Sequence, residues 1–165
     1  MKKAQDFALL FATLLLFWLL LNGSVAVDVV LVGIGVALLI PFLFRDSLAV
    51  FSELRVTPQA LMAALAYAVY FVKELINANI RLARIVLSPS LPVEPGIVKV
   101  RTRLKSKMGR LLLANSITLT PGTLTVELDD EWLYVHWVKV ESADVEAATT
   151  SIVAGFEQYL EVMYG

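Results

Sequence analysis

Two consecutive apolar runs near the N-terminus limit what this chain can fold into more than any other feature. The first run, residues 7–21, contains no charged side chain, and the second, residues 25–44, is interrupted only by Asp28. A helix needs about 20 apolar residues to cross the roughly 30 Å hydrocarbon core of a lipid bilayer. Since only a short polar segment separates the runs, the two helices must be antiparallel neighbours. The sequence therefore predicts a transmembrane hairpin, with helices at about 4–22 and 25–44.

The N-terminus has a second interpretation. A positively charged start followed by an apolar run also begins a secretory signal peptide, and residues 24–26 resemble a cleavage site of small residues. However, a second apolar run starts immediately, and the first run contains the bulky side chains of Phe17 and Trp18. We therefore expect the first helix to be retained.

The second run contains three notable residues. Gly33 and Ala37 form a spacing of small residues that lets another helix approach closely, so they are helix-packing candidates. Asp28 is a carboxylate at the edge of the membrane, which makes it a candidate for an ion pathway. It also lies in the first turn of the helix, where the helix dipole favours negative charge and water is near. This second interpretation of Asp28 is preferred.

Basic residues flank both ends of the predicted hairpin. Lys2 and Lys3 precede the first helix, Arg45 and Arg55 follow the second, and the connecting segment has none. Basic residues in short flanks mark the cytoplasmic side of a membrane. Both ends of the hairpin, and the domain that follows it, are therefore expected in the cytoplasm.

A third long helix is predicted at residues 58–87, with Pro58 in its first turn. Residues 60–72 are apolar, and a basic stripe along one helical face follows, formed by Lys73, Arg81 and Arg84. Either this helix crosses the bilayer, or its apolar part is embedded while the basic stripe faces lipid headgroups at the interface. Because the apolar part is short for a span and charges within lipid are costly, we favour the partly embedded helix.

The remainder of the chain predicts a small polar domain. Three prolines within residues 88–96 end the third helix and form a stiff linker. Alternating and helical apolar patterns then predict a two-layer β-α-β-β-α domain. The predicted strands are residues 97–104, 124–128 and 132–140. The predicted helices are residues 110–119 and, capped by Ser142, 143 to about 164. The domains are therefore a membrane domain, 1–87, and an α/β domain, 97–165.

Composition and motifs give no indication of an enzyme. A net charge of −1 provides no attraction for nucleic acid, and the absence of cysteine excludes thiolate chemistry. His136 lacks an adjacent nucleophile or carboxylate, so a packed histidine is expected. The acidic residues 129–131 are interpreted as a solvated hairpin loop, with a cation site as the alternative. We therefore expect no cofactor, no metal and no small-molecule substrate.

One long motif carries a family resemblance. Residues 115–126, NSITLTPGTLTV, and residues 133–137, LYVHW, resemble the signature of the E subunit of Mrp/Mnh-type multisubunit sodium/proton antiporters. The N-terminal hairpin and the chain length resemble that family as well. The signature positions are Asn115, Ser116, Thr118, Thr120, Pro121, Gly122, Thr123, His136 and Trp137. Related subunits occur in archaeal membrane-bound hydrogenases and similar respiratory complexes.

The resemblance implies an accessory subunit of a large transporter in a prokaryotic cell membrane, with other membrane subunits as partners. The family supplies no catalytic residue to carry over. Within this chain, the lack of a continuous relay of intramembrane charges argues against an autonomous pump. We therefore expect a non-catalytic subunit needed for assembly or stability. A stand-alone membrane-anchored interaction module and a hydrogenase-type host complex are the alternatives.

Overall fold

The computed structural model describes residues 2–43, 53 and 55–165. By backbone contacts the chain divides into two compact units, Met1–Leu54 and Arg55–Gly165. The predicted end of the second helix at Phe44, and the flanking Arg45, lie outside the described residues.

The first unit contains two apolar helices, α1 (Lys2–Asn22) and α2 (Val27–Leu43), which pack against each other. The turn between them depends on Gly23, whose φ of +59° is strained for other residues. The indole nitrogen of Trp18 donates to the carbonyl of Val29 at 3.0 Å, which ties α1 to the start of α2. The N-terminal part of the chain is therefore helical, as predicted.

The second unit begins with α3 (Pro58–Val86), a helix of 29 residues. Thr57 caps it by accepting a hydrogen bond from the Ala60 amide at 3.1 Å, and proline takes the first position. Among the described residues, α3 is the one helix long and apolar enough to cross a membrane, while the apolar stretches Phe7–Asn22 and Val27–Leu43 are shorter. The hairpin of two spans therefore stays a prediction.

A three-stranded antiparallel sheet follows, with strands β1 (Gly96–Arg101), β2 (Thr123–Asp129) and β3 (Trp132–Trp137). Its order is β1-β3-β2, with β3 in the centre. The register places Val98 opposite Val135 and Val100 opposite Leu133, and all of these side chains are buried. β2 has a bulge between Thr125 and Glu127. The central position of β3 agrees with its aromatic and branched residues.

Three helices complete the second unit: α4 (Lys107–Leu119), α5 (Val145–Ile152) and α6 (Ala154–Tyr164). α4 begins earlier than residue 110, because Ser106 caps it by accepting from the Gly109 amide at 2.9 Å. The predicted single C-terminal helix is wrong: it breaks at Val153, and its cap is Asp144 rather than Ser142. The observed order is therefore β-α-β-β-α-α. Strands β1 and β3 are shorter than predicted, ending at Arg101 and Trp137.

The unit boundary differs from the predicted one. α3 packs against α6, α4 packs on α6 and β2, and α5 packs on β1, so α3 belongs with the sheet and its helices. The prolines of residues 88–96 do not separate two units, since Val140 donates its amide to the Glu94 carbonyl at 3.0 Å. The division falls before α3, at Leu54, because α3 offers a face of side chains that α6 covers.

Candidate functional site

The signature residues build a corner between α4 and β2. Thr120 donates its hydroxyl to the Ser116 carbonyl at 2.7 Å, and Thr123 donates to the Ile117 carbonyl at 2.7 Å. Thr118 accepts from the Thr125 amide at 3.1 Å, across the same corner. Thr120 and Thr123 thus satisfy carbonyls that the end of a helix leaves unpaired, while Thr118 satisfies an amide of β2. The threonines of the motif therefore have a structural role, the fixing of the helix-to-strand turn.

The turn itself is formed by Pro121 and Gly122. Gly122 has a φ of +99°, which favours glycine. Proline before it fixes the preceding φ, so the pair suits a tight type II turn. Asn115 lies on the exposed face of α4, outside this corner.

Ser116 connects the signature to α3. Its side chain is buried and donates to the Leu112 carbonyl at 2.7 Å, within α4. Its hydroxyl also forms a hydrogen bond with the Tyr67 hydroxyl of α3. The signature therefore positions α3 as well as β2, a contact for which the sequence gives no local signal.

An aromatic cluster fastens α3 to α6. Phe156 of α6 lies against Tyr67, Tyr70 and Phe71, with ring centroids 5.3 to 6.5 Å away. Gly155 allows the approach, because a Cβ there would lie 1.8 Å from the Tyr70 hydroxyl. The spacing of the three α3 aromatics, at i, i+3 and i+4, places them on one helical face. That spacing was the available sequence signal for the docking face.

The opposite face of α3 is uncovered in the described structure. We call it the apolar stripe, and it runs the length of the helix through exposed side chains. Its members are Leu61, Leu65, Val69, Val72, Ile76, Ile80 and Leu87. Their exposed fractions range from 45% to 82%, too high for the core helix of a water-soluble protein. A continuous surface of this kind fits lipid or another apolar helix.

The basic stripe lies between these two faces, and part of it reaches the signature corner. Arg81 and Arg84 line a cleft of about 350 Å³ together with the 120–123 turn and Trp137. Arg81 also lies 3.7 Å from Glu74, an ion pair within α3. Lys73 is exposed and does not line this cleft. The structure therefore brings two of the three basic residues together with the signature.

His136 lies on the opposite side of the sheet from the core. It is half-buried and shares its face with Trp132 and Tyr134, while Leu133 and Val135 of the same strand point into the core. Lys99 of β1 covers the Trp132 ring on this face, with its ammonium 4.0 Å from the centroid. His136 and Trp137 are thus neighbours in sequence on different faces.

Two of the three acidic hairpin residues form ion pairs with neighbouring cations. Asp130 accepts from Arg110 at 2.6 Å, and Glu131 pairs with Arg101 at 3.0 Å. No group of three metal-ligating side chains occurs in the part of the chain that the structure describes.

In the first unit, Gly33 and Ala37 are buried on one face of α2. Gly33 faces α1 so closely that a Cβ would lie 2.5 Å from Cδ1 of Trp18. Asp28 is exposed in the first turn of α2. The helix that approaches the small residues is therefore α1 of the same chain.

Comparison with known proteins places this arrangement in a family. The family model described as "Na+/H+ ion antiporter subunit" matches residues 11–163. The chain belongs to this family. It is 38% identical to the E subunit of the Na(+)/H(+) antiporter of Alkalihalophilus pseudofirmus over 125 residues, which span 74% of this chain and 76% of that protein. It is 32% identical to the corresponding antiporter subunit of Bacillus subtilis, over 87% of this chain and 89% of that protein.

Solved structures include a similar chain in a respiratory complex. A chain of the membrane-bound sulfane sulfur reductase (MBS), an archaeal respiratory membrane complex, superposes with a TM-score of 0.83 at 32% identity. The superposition covers 95% of this chain and 98% of that one. The fold of this antiporter family thus occurs in a respiratory membrane complex as well.

Proposed function

We propose that this chain is a non-catalytic E subunit, which assembles with other membrane subunits of a Na+/H+ antiporter and stabilises the complex. The observation that carries the proposal is the apolar stripe on α3. Helix α3 is held on one side by the aromatic cluster, and its other side offers exposed apolar side chains along its whole length. An apolar helix face held in this way is suited to packing within a membrane assembly.

The proposed topology follows from the same surfaces. The chain passes the cell membrane more than once, through the α1–α2 hairpin, and α3 is embedded in the bilayer at least in its apolar part. The sheet and its helices lie on the cytoplasmic side, together with the basic stripe. This arrangement is supported by the basic residues that flank the hairpin and by the length of α3.

The charges of the chain support a role without ion transport of its own. Asp28 is exposed in the first turn of α2, and α2 contains no other acidic residue with which it could form a relay. An ion pathway needs a chain of ionisable groups across the membrane. Transport is therefore assigned to other subunits.

A second candidate function is that of the equivalent subunit in a respiratory complex of the MBS type. It is favoured by the TM-score of 0.83 over nearly the whole chain. The role of this subunit is the same in both complexes. The apolar stripe and the aromatic cluster serve its attachment to other subunits and take no part in catalysis or ion transport.

Co-purification distinguishes assembly from a stand-alone anchored module. The tagged full-length chain, extracted in mild detergent, should co-isolate with several hydrophobic membrane subunits. Leu65→Asn combined with Val69→Asn, on the apolar stripe, should release them. Leu111→Asn combined with Leu119→Asn replaces two exposed leucines of α4 and should retain them. Isolation with a single water-soluble partner, or equal effects of both pairs, would contradict the proposal.

A further inference from the structure

The cleft beside the signature corner has a charge that the assembly role does not use. Its ionisable lining consists of Arg81, Arg84, Lys139 and one carboxylate, Glu141. Arg84 forms no ion pair with any carboxylate in the described ranges, and the Arg81 contact with Glu74 is long, at 3.7 Å. The cleft therefore has an excess of positive charge that is available to an anion.

Hydrogen-bonding and aromatic groups complete the lining. Ser88 and the turn at Gly122 contribute polar atoms, and the half-buried Trp137 forms one wall. Tryptophan is enriched at membrane interfaces, where one part of its ring is apolar and its N–H is polar. A cleft of about 350 Å³ is large enough for a headgroup and too small for a folded segment of protein.

Exposed apolar side chains are sequence neighbours of two residues that line the cleft, Ser88 and Pro92. Leu87, the last member of the apolar stripe, and the following Leu91 and Val93 have exposed fractions of 82%, 55% and 48%. The segment that carries them thus combines exposed apolar side chains with residues of the cleft wall. A free phosphate ion needs the cations alone, whereas a phospholipid also needs adjacent apolar surface for its acyl chains.

We propose that this cleft binds the headgroup of an anionic phospholipid. Arg81 and Arg84 contact the phosphate, and the acyl chains lie along the apolar stripe of α3. The site positions the signature corner at the cytoplasmic surface of the bilayer. This inference rests on the proposed membrane topology of the chain and uses the same apolar stripe as the proposed assembly role, but lipid binding by the isolated chain is measured separately from assembly.

Lipid binding by the full-length chain tests the proposal. Native mass spectrometry from mild detergent measures the dissociation constants of phosphatidylglycerol and phosphatidylcholine. The wild-type chain should bind phosphatidylglycerol more tightly, and Arg81→Gln combined with Arg84→Gln should weaken that binding by about 10- to 30-fold. Lys105→Gln combined with Lys107→Gln removes the same charge outside the cleft and should change it by less than about 2-fold.

Arg84→Gln alone provides a second variant that removes no ion pair, and it should weaken phosphatidylglycerol binding by at least ~3-fold. Unchanged binding in the arginine variants, or an equal loss in the lysine control, would overturn the proposal. Displacement of the lipid by equimolar inorganic phosphate would assign the cleft to a free anion. Lipid that is bound to the isolated chain but absent from the purified complex would indicate that an acidic segment of a neighbouring subunit occupies the cleft. That result would also overturn the proposal.

Discussion

Glu157 of α6 is a buried carboxylate that joins the end of β1 to the C-terminal helices. Its side chain is 4% exposed and accepts hydrogen bonds from the Thr102 hydroxyl and, at 2.7 Å, from the Arg103 amide. Arg103 adds an ion pair at 3.2 Å, although its own side chain is largely in water. A buried carboxylate needs such partners, since an unpaired one would be strongly destabilising.

Glu157→Gln should destabilise the domain by about 1–3 kcal/mol, because the amide nitrogen cannot accept from the arginine. Glu161→Gln, at a 38% exposed carboxylate that pairs with the same Arg103, is the matched control and should cost less than about 1 kcal/mol. The measurement is the free energy of unfolding of the full-length protein in mild detergent. Equal losses in both variants would contradict a special role for the buried carboxylate.

Asp28 gives a second prediction at this scale. Asp28→Asn should leave antiport by the assembled complex unchanged. The exposed carboxylate lies in the first turn of α2, where its negative charge interacts favourably with the helix dipole and has no further role. The measurement is sodium-driven proton movement in membrane vesicles, normalised to the amount of complex. Loss of antiport in a fully assembled complex would assign the residue to the ion pathway.

The contact between α1 and α2 depends on Gly33, one of the two glycines of α2. Gly33→Ala should destabilise the hairpin by about 1–3 kcal/mol, since the new methyl group would overlap Trp18. Gly35→Ala is the control, because nothing lies within 4 Å of its Cβ position. Thermal unfolding in detergent, followed by tryptophan fluorescence, measures both. A lower midpoint for the control than for Gly33→Ala would contradict this contact.

The contact between α3 and α6 depends on the aromatic cluster. Phe156→Ala should destabilise the domain by about 3–5 kcal/mol, because the ring lies against three aromatic rings of α3. Val162→Ala, a 41% exposed side chain on the same helix, should cost less than about 1 kcal/mol. Chemical denaturation of the full-length protein compares the two. A small effect of Phe156→Ala would indicate that α3 is held elsewhere.

Local chemistry made several elements predictable from the sequence. Pro58 at the start of α3 and the Pro121–Gly122 turn follow from fixed φ values and from the freedom of glycine. The break at Val153 did not follow, because apolar residues continue at helical spacing from α5 into α6. The break precedes Gly155, which α6 needs for its approach to Tyr70. Such a tertiary requirement has no local signal.

The candidate site was likewise predictable from the sequence only in part. The basic stripe was predictable from helical spacing, and the signature from resemblance, but their meeting in one cleft depends on how α3 docks on the domain. That docking depends on Tyr67, Phe156 and Ser116, which are distant in sequence. Pairwise contacts of this kind cannot be derived from one sequence, because a periodic pattern identifies a face and not its partner.

At the scale of the whole molecule, α3 and the C-terminal domain form one compact unit that follows the hairpin unit. The hydrogen bond between Tyr67 and Ser116 connects α3, a long and partly exposed apolar helix, to the signature corner. The position that α3 takes when it packs in the membrane can therefore affect the position of that corner. This construction suits a subunit whose contribution is attachment. The hydrogen bonds of the signature threonines to backbone groups agree with such a role.

The most direct measurement is the assembly of the host complex in cells that lack this chain. Complex size on native gels should fall without the chain and return when the wild-type chain is supplied from a plasmid. The Glu161→Gln variant should restore it equally well, because that carboxylate is partly exposed. An intact complex with full sodium/proton antiport in the absence of this chain would contradict the account.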